Sequence, residues 1–204
     1  MIFNKVEEYI PTDVLLHCCC APCSSAILEW MEQHDVKPVI FYCNPNIYPE
    51  EEYLIRKNEI THYAHEKGIR IIDDDYDHDA WLAYIRGLEN EPERGNRCLM
   101  CFKYRLLRSA QKARELGLKH FTTTLASSRW KRLDQINEAG LWAAQQVNGP
   151  SEDELDASTE CPPAVTFWDR NWRKGGLQER RNQLLHELGF YNQLYCGCEF
   201  SMRE

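Results

Sequence analysis

No stretch of this 204-residue chain approaches the ~20 consecutive apolar residues that a membrane span requires. It has no internal repeat and no low-complexity tract, which removes fibrous classes. Residues 1–9 are mixed and include Glu7 and Glu8, unlike the basic and apolar regions of a secretory signal. Net positive charge is lacking too: the formal charge is −8, which taken alone speaks against a nucleic-acid partner. What remains is 43% hydrophobic and 27% charged, the composition of an ordinary globular protein long enough to bury a core. A single cytoplasmic domain is expected, with no membrane partner.

Cysteine is abundant. Ten are present, at 18, 19, 20, 23, 43, 98, 101, 161, 196 and 198. In a cytosolic chain such a number points to metal or redox chemistry before disulfides. Adjacent and once-separated cysteines bridge each other poorly, because disulfides need Cα atoms roughly 4.4–6.8 Å apart with converging side chains. Charge is equally uneven. Between Arg94 and Arg132 stand eleven Lys or Arg and one acid, Glu115, while acidic blocks occupy 50–52, 73–79 and 152–160. A basic stripe on an acidic chain fits a nucleic-acid footprint, and it equally fits one solvated helix face.

Apolar runs at 14–17, 38–43, 69–73, 120–125 and 164–168 predict strands. Helical patterns cover 24–33, 50–67, 80–88, 98–116, 133–147 and 177–188, with Tyr53, Leu54, Ile60 and Ala64 on the apolar face of the second. Alternating strands and helices predict an α/β fold: a mainly parallel sheet flanked by helices, a nucleotide-binding-like α/β sandwich. Residues 151–163 read as an acidic surface loop. From about 151 to 204 a Cys-rich C-terminal extension is expected to pack back on the sheet.

Ligands of open α/β sheets bind beyond the carboxyl ends of the strands. Three polar segments follow predicted strands: HCCCAPC at 17–23, DDDYD at 73–77 and TTTLASSRWKR at 122–132. Cys98 and Cys101, at i and i+3, share a face at the start of a helix, where the positive helix end and nearby Arg94 and Arg97 favour thiolates. Together with Cys19, Cys20, Cys23, Cys196 and Cys198 they make seven clustered thiols. Seven exceed what one tetrahedral zinc or one four-iron cluster uses, which suggests two metal centres or a cluster beside a redox pair. Structural zinc with spare thiols and a dithiol redox enzyme are the plainer alternatives. Cys43 reads as core packing, and His17 as a strand cap rather than a ligand. Arg129-Trp-Lys-Arg132 and Arg170-Asn-Trp-Arg-Lys174 alternate cations with flat rings, as looped RNA requires, though Trp130 and Trp172 would serve equally as core anchors.

The motifs HCCCAPCS (17–24), FYCNPNIYPEEEYLIRKNE (41–59), DDDYDHDAWL (73–82), GLENEPERGNRCLMCFKYRL (87–106), SSRWKRLDQIN (127–137), WDRNWRKGG (168–176) and YNQLYCGCEFS (191–201) occur in this order. Together they resemble the cobalamin-independent epoxyqueuosine reductase family, QueH, over nearly the whole chain. Cys19 and Cys20 match the family's adjacent pair, and Tyr48 stands where the family often has histidine. The resemblance implies reduction of the epoxide of epoxyqueuosine, at the wobble position of transfer RNA, to the alkene. It further implies a 4Fe–4S cluster and an additional mononuclear iron, held by Cys19, Cys20, Cys23, Cys98, Cys101, Cys196 and Cys198. An external low-potential carrier would supply the electrons, with Asp75, Asp77 or Tyr76 as proton donor or, for an aspartate, iron ligand. Arg97, Arg129, Trp130, Lys131, Arg132, Trp172, Arg173 and Lys174 would contact the anticodon stem–loop.

Two other classes suit the pattern less well. An ATP-dependent tRNA-modifying α/β enzyme needs a Gly/Ser-rich phosphate loop after the first strand, where this chain has thiols. A zinc-stabilised RNA-binding module has no use for so many cysteines.

Overall fold

The computed structural model describes residues 9–149 and 163–202. Residues 1–8, Cys161 and all but the last residue of the expected acidic loop at 151–163 lie outside them. Five strands, β1 (Asp13–His17), β2 (Lys37–Tyr42), β3 (Ile71–Asp73), β4 (His120–Thr123) and β5 (Thr166–Phe167), form one all-parallel sheet in the order β3-β2-β1-β4-β5. The helices are α1 (Ala21–Gln33), α2 (Glu50–Glu66), α3 (His78–Tyr84), α4 (Asn96–Glu115), α5 (Leu133–Asn148) and α6 (Leu177–Glu187). No helix among the described residues is long and apolar enough to cross a membrane.

The expected α/β architecture is the one observed. Val14, Leu15, Leu16, Ile40, Phe41 and Phe121 are fully buried, as strands covered on both faces by crossover helices must be. Helix α1 packs against α2 and α6, and α4 against α5. Three local departures have simple causes. The strand expected over 120–125 stops at Thr123, whose hydroxyl accepts from the Leu125 amide (3.1 Å) and turns the chain into a 3-10 turn at Thr124–Ser127. Helix α3 starts at His78 because the Asp77 carboxylate accepts from the Ala80 amide (2.8 Å) as its N-cap. On α2 the buried face runs through Tyr53, Arg56, Ile60 and Tyr63–Ala64, and Leu54, a step of about 100° away, is exposed.

Strand order reverses between β1 and β4, so the crevice beyond their carboxyl ends is the topological switch point. His17, the last residue of β1, sits opposite Thr123 and ties the two ends together. Its Nε2–H donates to the Cys43 carbonyl (3.0 Å), and Nδ1 accepts from the Thr123 hydroxyl (2.8 Å). Burial, reinforced by the Arg105 cation, pulls its pKa down to about 3, so the ring is neutral. Both ring nitrogens are used by the protein, and His17 is the strut its position suggested.

The C-terminal segment returns to the sheet. Strand β5 adds to β4, and Arg180 of α6 is ion-paired with Glu29 of α1 (2.7 Å). The tail beyond α6 is fastened along α2: the Tyr191 hydroxyl donates to Glu52 (2.8 Å), Arg56 donates to the Tyr195 carbonyl (3.2 Å), and the Tyr48 amide donates to the Gly197 carbonyl (2.8 Å).

Candidate metal centre

Two helix N-termini open at the switch point, and each carries thiols. Cys20 is the N-cap of α1 and Cys23 lies in its first turn, where Pro22 costs nothing because the first amides have no partner inside the helix. Cys98 and Cys101 occupy the first turns of α4. The positive helix ends would favour thiolate there, but burial outweighs them at Cys20, Cys98 and Cys101, and the hydrogen bond with Cys19 does so at Cys23; all four thiols are pushed up. The tail brings Cys196 and Cys198 to the second pair: Cys101 and Cys198 are buried with Trp81 and Ile85, and Cys196 packs against them.

The seven thiols fall into two neighbourhoods, Cys19 with Cys20 and Cys23, and Cys98 with Cys101, Cys196 and Cys198; among the described residues only the first brings three sulfurs close enough together to hold a metal ion. The Sγ atoms of Cys19, Cys20 and Cys23 all lie within 4.8 Å of one another, with Cys19 and Cys20 at 3.8 Å. Each set holds one thiol well below the usual cysteine range. For Cys19 the cause is hydrogen bonding from Cys20 and Cys23, and for Cys196 hydrogen bonding from Cys198; in both Lys131 adds to the effect. Cys18 and Cys43, by contrast, are core residues whose thiols are pushed up by burial.

The donor chemistry fits metal ions. Soft thiolates select zinc, iron and iron–sulfur clusters, and the described cysteines form no disulfide. The Trp81 indole N–H is buried without a partner beside Cys101, whose thiolate it would stabilise. A Cys101 thiolate, free or metal-bound, would be the natural acceptor for this donor.

A cavity of about 370 Å³ opens over the thiols. Cys19, Cys20, Cys23, Cys98, Cys101 and Cys196 line it, together with the cations Arg56, Arg94, Arg105, Lys131, Arg132 and Arg181, and with Glu93. Trp130, 78% exposed, and Leu194, 89% exposed, stand at its rim. Burial opposes charge on Lys131, but the nearby sulfurs of Cys196, Cys19 and Cys23 outweigh it and hold the ammonium.

The residues expected to contact RNA divide sharply. Arg129, Trp130, Arg132 and Lys174 are exposed, and Lys131 is partly so. Trp172 is not available: it is fully buried, packs on Trp30 and Trp168, and donates from Nε1 to Thr122 (3.4 Å). Arg97 is 2% exposed and spends its guanidinium on the Glu89 and Glu91 carbonyls and on Ser201, so it braces the tail. Arg173 donates to the Lys131 carbonyl (2.7 Å) and holds the Trp130 loop in place.

Asp75, Tyr76 and Asp77 do not line the cavity. They follow β3, the edge strand, two places from β1, or about 10 Å across the sheet. Asp77 caps α3, the Tyr76 hydroxyl donates to the Ile47 carbonyl (2.7 Å), and Asp75 is exposed. Sequence patterns gave no separate weight to Asn44, Asn46, Arg56, Gln135 or Gln193, all in the cavity wall. All five lie inside quoted motifs, but only the fold shows which motif positions line the cavity.

Gly197 makes the Cys-Gly-Cys corner possible. Its φ of +98° lies in the left-handed half of conformational space, and an added Cβ would come within 2.7 Å of Ile47 Cγ1. Gly197→Ala is expected to displace Cys196 and Cys198 and to lower bound metal severalfold, checked by metal analysis of the purified variant.

Fold and site together define an α/β protein with a cysteine-built candidate metal centre at its switch point. A profile described as "Epoxyqueuosine reductase QueH" matches residues 14–204. Curated proteins of that name from Acinetobacter baylyi and Histophilus somni are each 43% identical to this chain over 191 residues, which is 94% of its length and 81% and 72% of theirs. The Haemophilus influenzae protein of the same name is 41% identical over 94% of this chain and 72% of its own. The chain belongs to the epoxyqueuosine reductase QueH family.

Proposed function

We propose that this chain is a metal-dependent epoxyqueuosine reductase, acting in the cytoplasm on the wobble nucleotide of transfer RNA. It works as a single α/β metalloenzyme domain over 1–204, closed by its C-terminal extension from about residue 151. The observation that carries this reading is that six thiols from three distant segments line one cation-rich cavity, with Cys198 buried behind Cys101 and an exposed tryptophan at the rim.

The reaction turns the epoxide into an alkene, consuming two electrons and two protons and releasing one water. A 4Fe–4S cluster and an additional iron would supply single electrons, renewed by an external low-potential donor, and a Lewis-acidic position for the epoxide oxygen. Donor count favours Cys98, Cys101, Cys196 and Cys198 for the closed four-thiol site, and Cys19, Cys20 and Cys23 for the site with an open position. Lys131, which lines the cavity and whose ammonium is stabilised by sulfurs of both sets, is a proton donor within the cavity; Asp75, Tyr76 and Asp77, the donors expected from sequence, stand outside its lining. Ile47, Phe102 and Leu125 supply apolar wall and exclude water. Trp130 offers a stacking face, and Arg129, Arg132 and Lys174 offer charge to the anticodon loop.

The test is anaerobic purification followed by iron and sulfide analysis, an absorption spectrum and turnover of epoxyqueuosine-bearing tRNA followed by mass spectrometry of its nucleosides. Brown protein with iron exceeding sulfide and conversion to queuosine bears the reading out. Colourless protein that keeps stoichiometric zinc after iron–sulfur reconstitution leaves only a zinc-stabilised RNA-binding module. RNA affinity is also expected to fall between 50 and 200 mM salt: three or four phosphate contacts give roughly a tenfold to a few-hundred-fold loss. A dissociation constant flat across that range removes the cationic rim from the interface.

A further inference from the structure

Two buried side-chain oxygens without a hydrogen-bond partner, Asn46 Oδ1 and Gln135 Oε1, belong to residues that line the thiol cavity. Gln135 is the better defined. It lies in the first turn of α5, is 8% exposed, and donates from Nε2 to the Arg94 carbonyl (3.0 Å) and the Gly95 carbonyl (3.3 Å). Those two carbonyls only accept, so the amide cannot be flipped and its oxygen is held as an acceptor. A buried acceptor left unpaired is costly, and a native site keeps one where a ligand completes it.

Around it the cavity is rich in donors: Arg94, Lys131 and Arg132 share its wall. A carbonyl oxygen is therefore a scarce group there, and the neighbouring cations favour a neutral donor over a charged one. Epoxyqueuosine carries both kinds on its modified arm, a protonated secondary amine and the hydroxyls of the cyclopentane ring. We propose that Gln135 is a specificity-determining residue whose Oε1 accepts a hydrogen bond from a cyclopentane hydroxyl, so that the cavity distinguishes the modified nucleotide from guanosine. This rests on the reductase reading and deepens it. A site built to pair a substrate hydroxyl discriminates strongly, because the analogue lacking it leaves the buried partner unsatisfied.

The experiment measures dissociation constants of the metal-loaded protein for one tRNA in four forms: epoxyqueuosine, queuosine, aminomethyl-7-deazaguanosine or guanosine at the wobble position. Turnover of the first form is followed in parallel. Wild type is expected to prefer the epoxyqueuosine and queuosine forms, which both carry the hydroxyls, by about tenfold or more over the other two. Gln135→Met, which removes the acceptor, brings the ratio close to one. Gln135→Glu loses the same tether to Arg94 and Gly95 but keeps an acceptor oxygen, and so retains most of the preference. A merely structural Gln135 would weaken all four forms alike. The proposal is overturned if Gln135→Met keeps the wild-type ratio, if both variants lose it equally, or if the aminomethyl form binds as tightly as the epoxyqueuosine form. Should neither variant fold, the wild-type comparison still decides, since queuosine binding no better than guanosine overturns it. Absence of turnover by wild-type protein would instead remove the reductase reading itself.

Discussion

Cys98→Ala is expected to lose its iron and its activity together. The residue stands in the first turn of α4, and its Sγ accepts from the Arg94 amide at 3.2 Å. In the proposed assignment Cys101, Cys196 and Cys198 complete its group, and Cys101 and Cys196 are near enough to act on its thiol. Under that assignment, removing one of four thiolates would open a closed site, and alanine at this position offers no replacement ligand. Turnover of epoxyqueuosine-tRNA should fall by at least about a thousandfold, a loss of more than 4 kcal/mol in barrier. Most of the cluster absorbance should go with it. Cys43→Ala is the control: that thiol is buried in the core, so the change costs about 1 kcal/mol of stability and leaves the metal in place. A Cys98→Ala protein with wild-type iron and turnover would end the assignment of this group.

The second large effect separates two tryptophans that look alike in sequence. Each sits between basic residues, Trp130 in RWKR and Trp172 in NWRK. Trp172→Ala removes a fully buried ring that packs on Trp30 and Trp168 and has the Arg170 guanidinium 5.2 Å from its centre. The expected cost is about 3–5 kcal/mol, which for a chain of this size lowers the thermal midpoint by roughly 6–20 °C. Trp130→Ala should leave the midpoint unchanged to within ~0.5 kcal/mol, since that ring is 78% exposed. Its cost falls on RNA: losing one stacking platform weakens binding by about 1–3 kcal/mol. Calorimetry and fluorescence anisotropy on the two variants give opposite patterns if both placements are right. A destabilised Trp130→Ala with unchanged RNA affinity would reverse them.

The basic stripe from Arg94 to Arg132 shows the same division. As a sequence it is one block of charge. In the fold Arg105 is 2% exposed and bound to Asn44 and to the Cys43 carbonyl; Arg108 is paired with Asp74, Lys103 with Glu138 and Lys112 with Glu115. Arg94, Lys131 and Arg132 remain at the cavity. Arg132 is itself paired with the nearby Asp134, as Lys112 is with Glu115; the partners of Lys103 and Arg108 are distant in sequence, and no local pattern reports those two.

By itself the sequence determined the alternation of strands and helices, the parallel sheet and the candidate ligand set. These follow from short-range physics: apolar runs that only a covered strand can bury, glycines that stop α2 and α4, and adjacent or once-separated thiols that bridge each other poorly. Only the tertiary structure decided which residues share the cavity. Strand order set β3 at the edge, and Asp75, Tyr76 and Asp77 lie outside the cavity lining although they stand at the correct end of the sheet. Packing buried Trp172 and Arg97 and left Trp130 at the rim. The return of the tail carried Cys196 and Cys198 across the chain to Cys101, and the first turn of α5 put Gln135 in the cavity wall. Each of these outcomes depends on surfaces meeting between segments far apart in the chain, where burial is a property of the pair and not of either sequence.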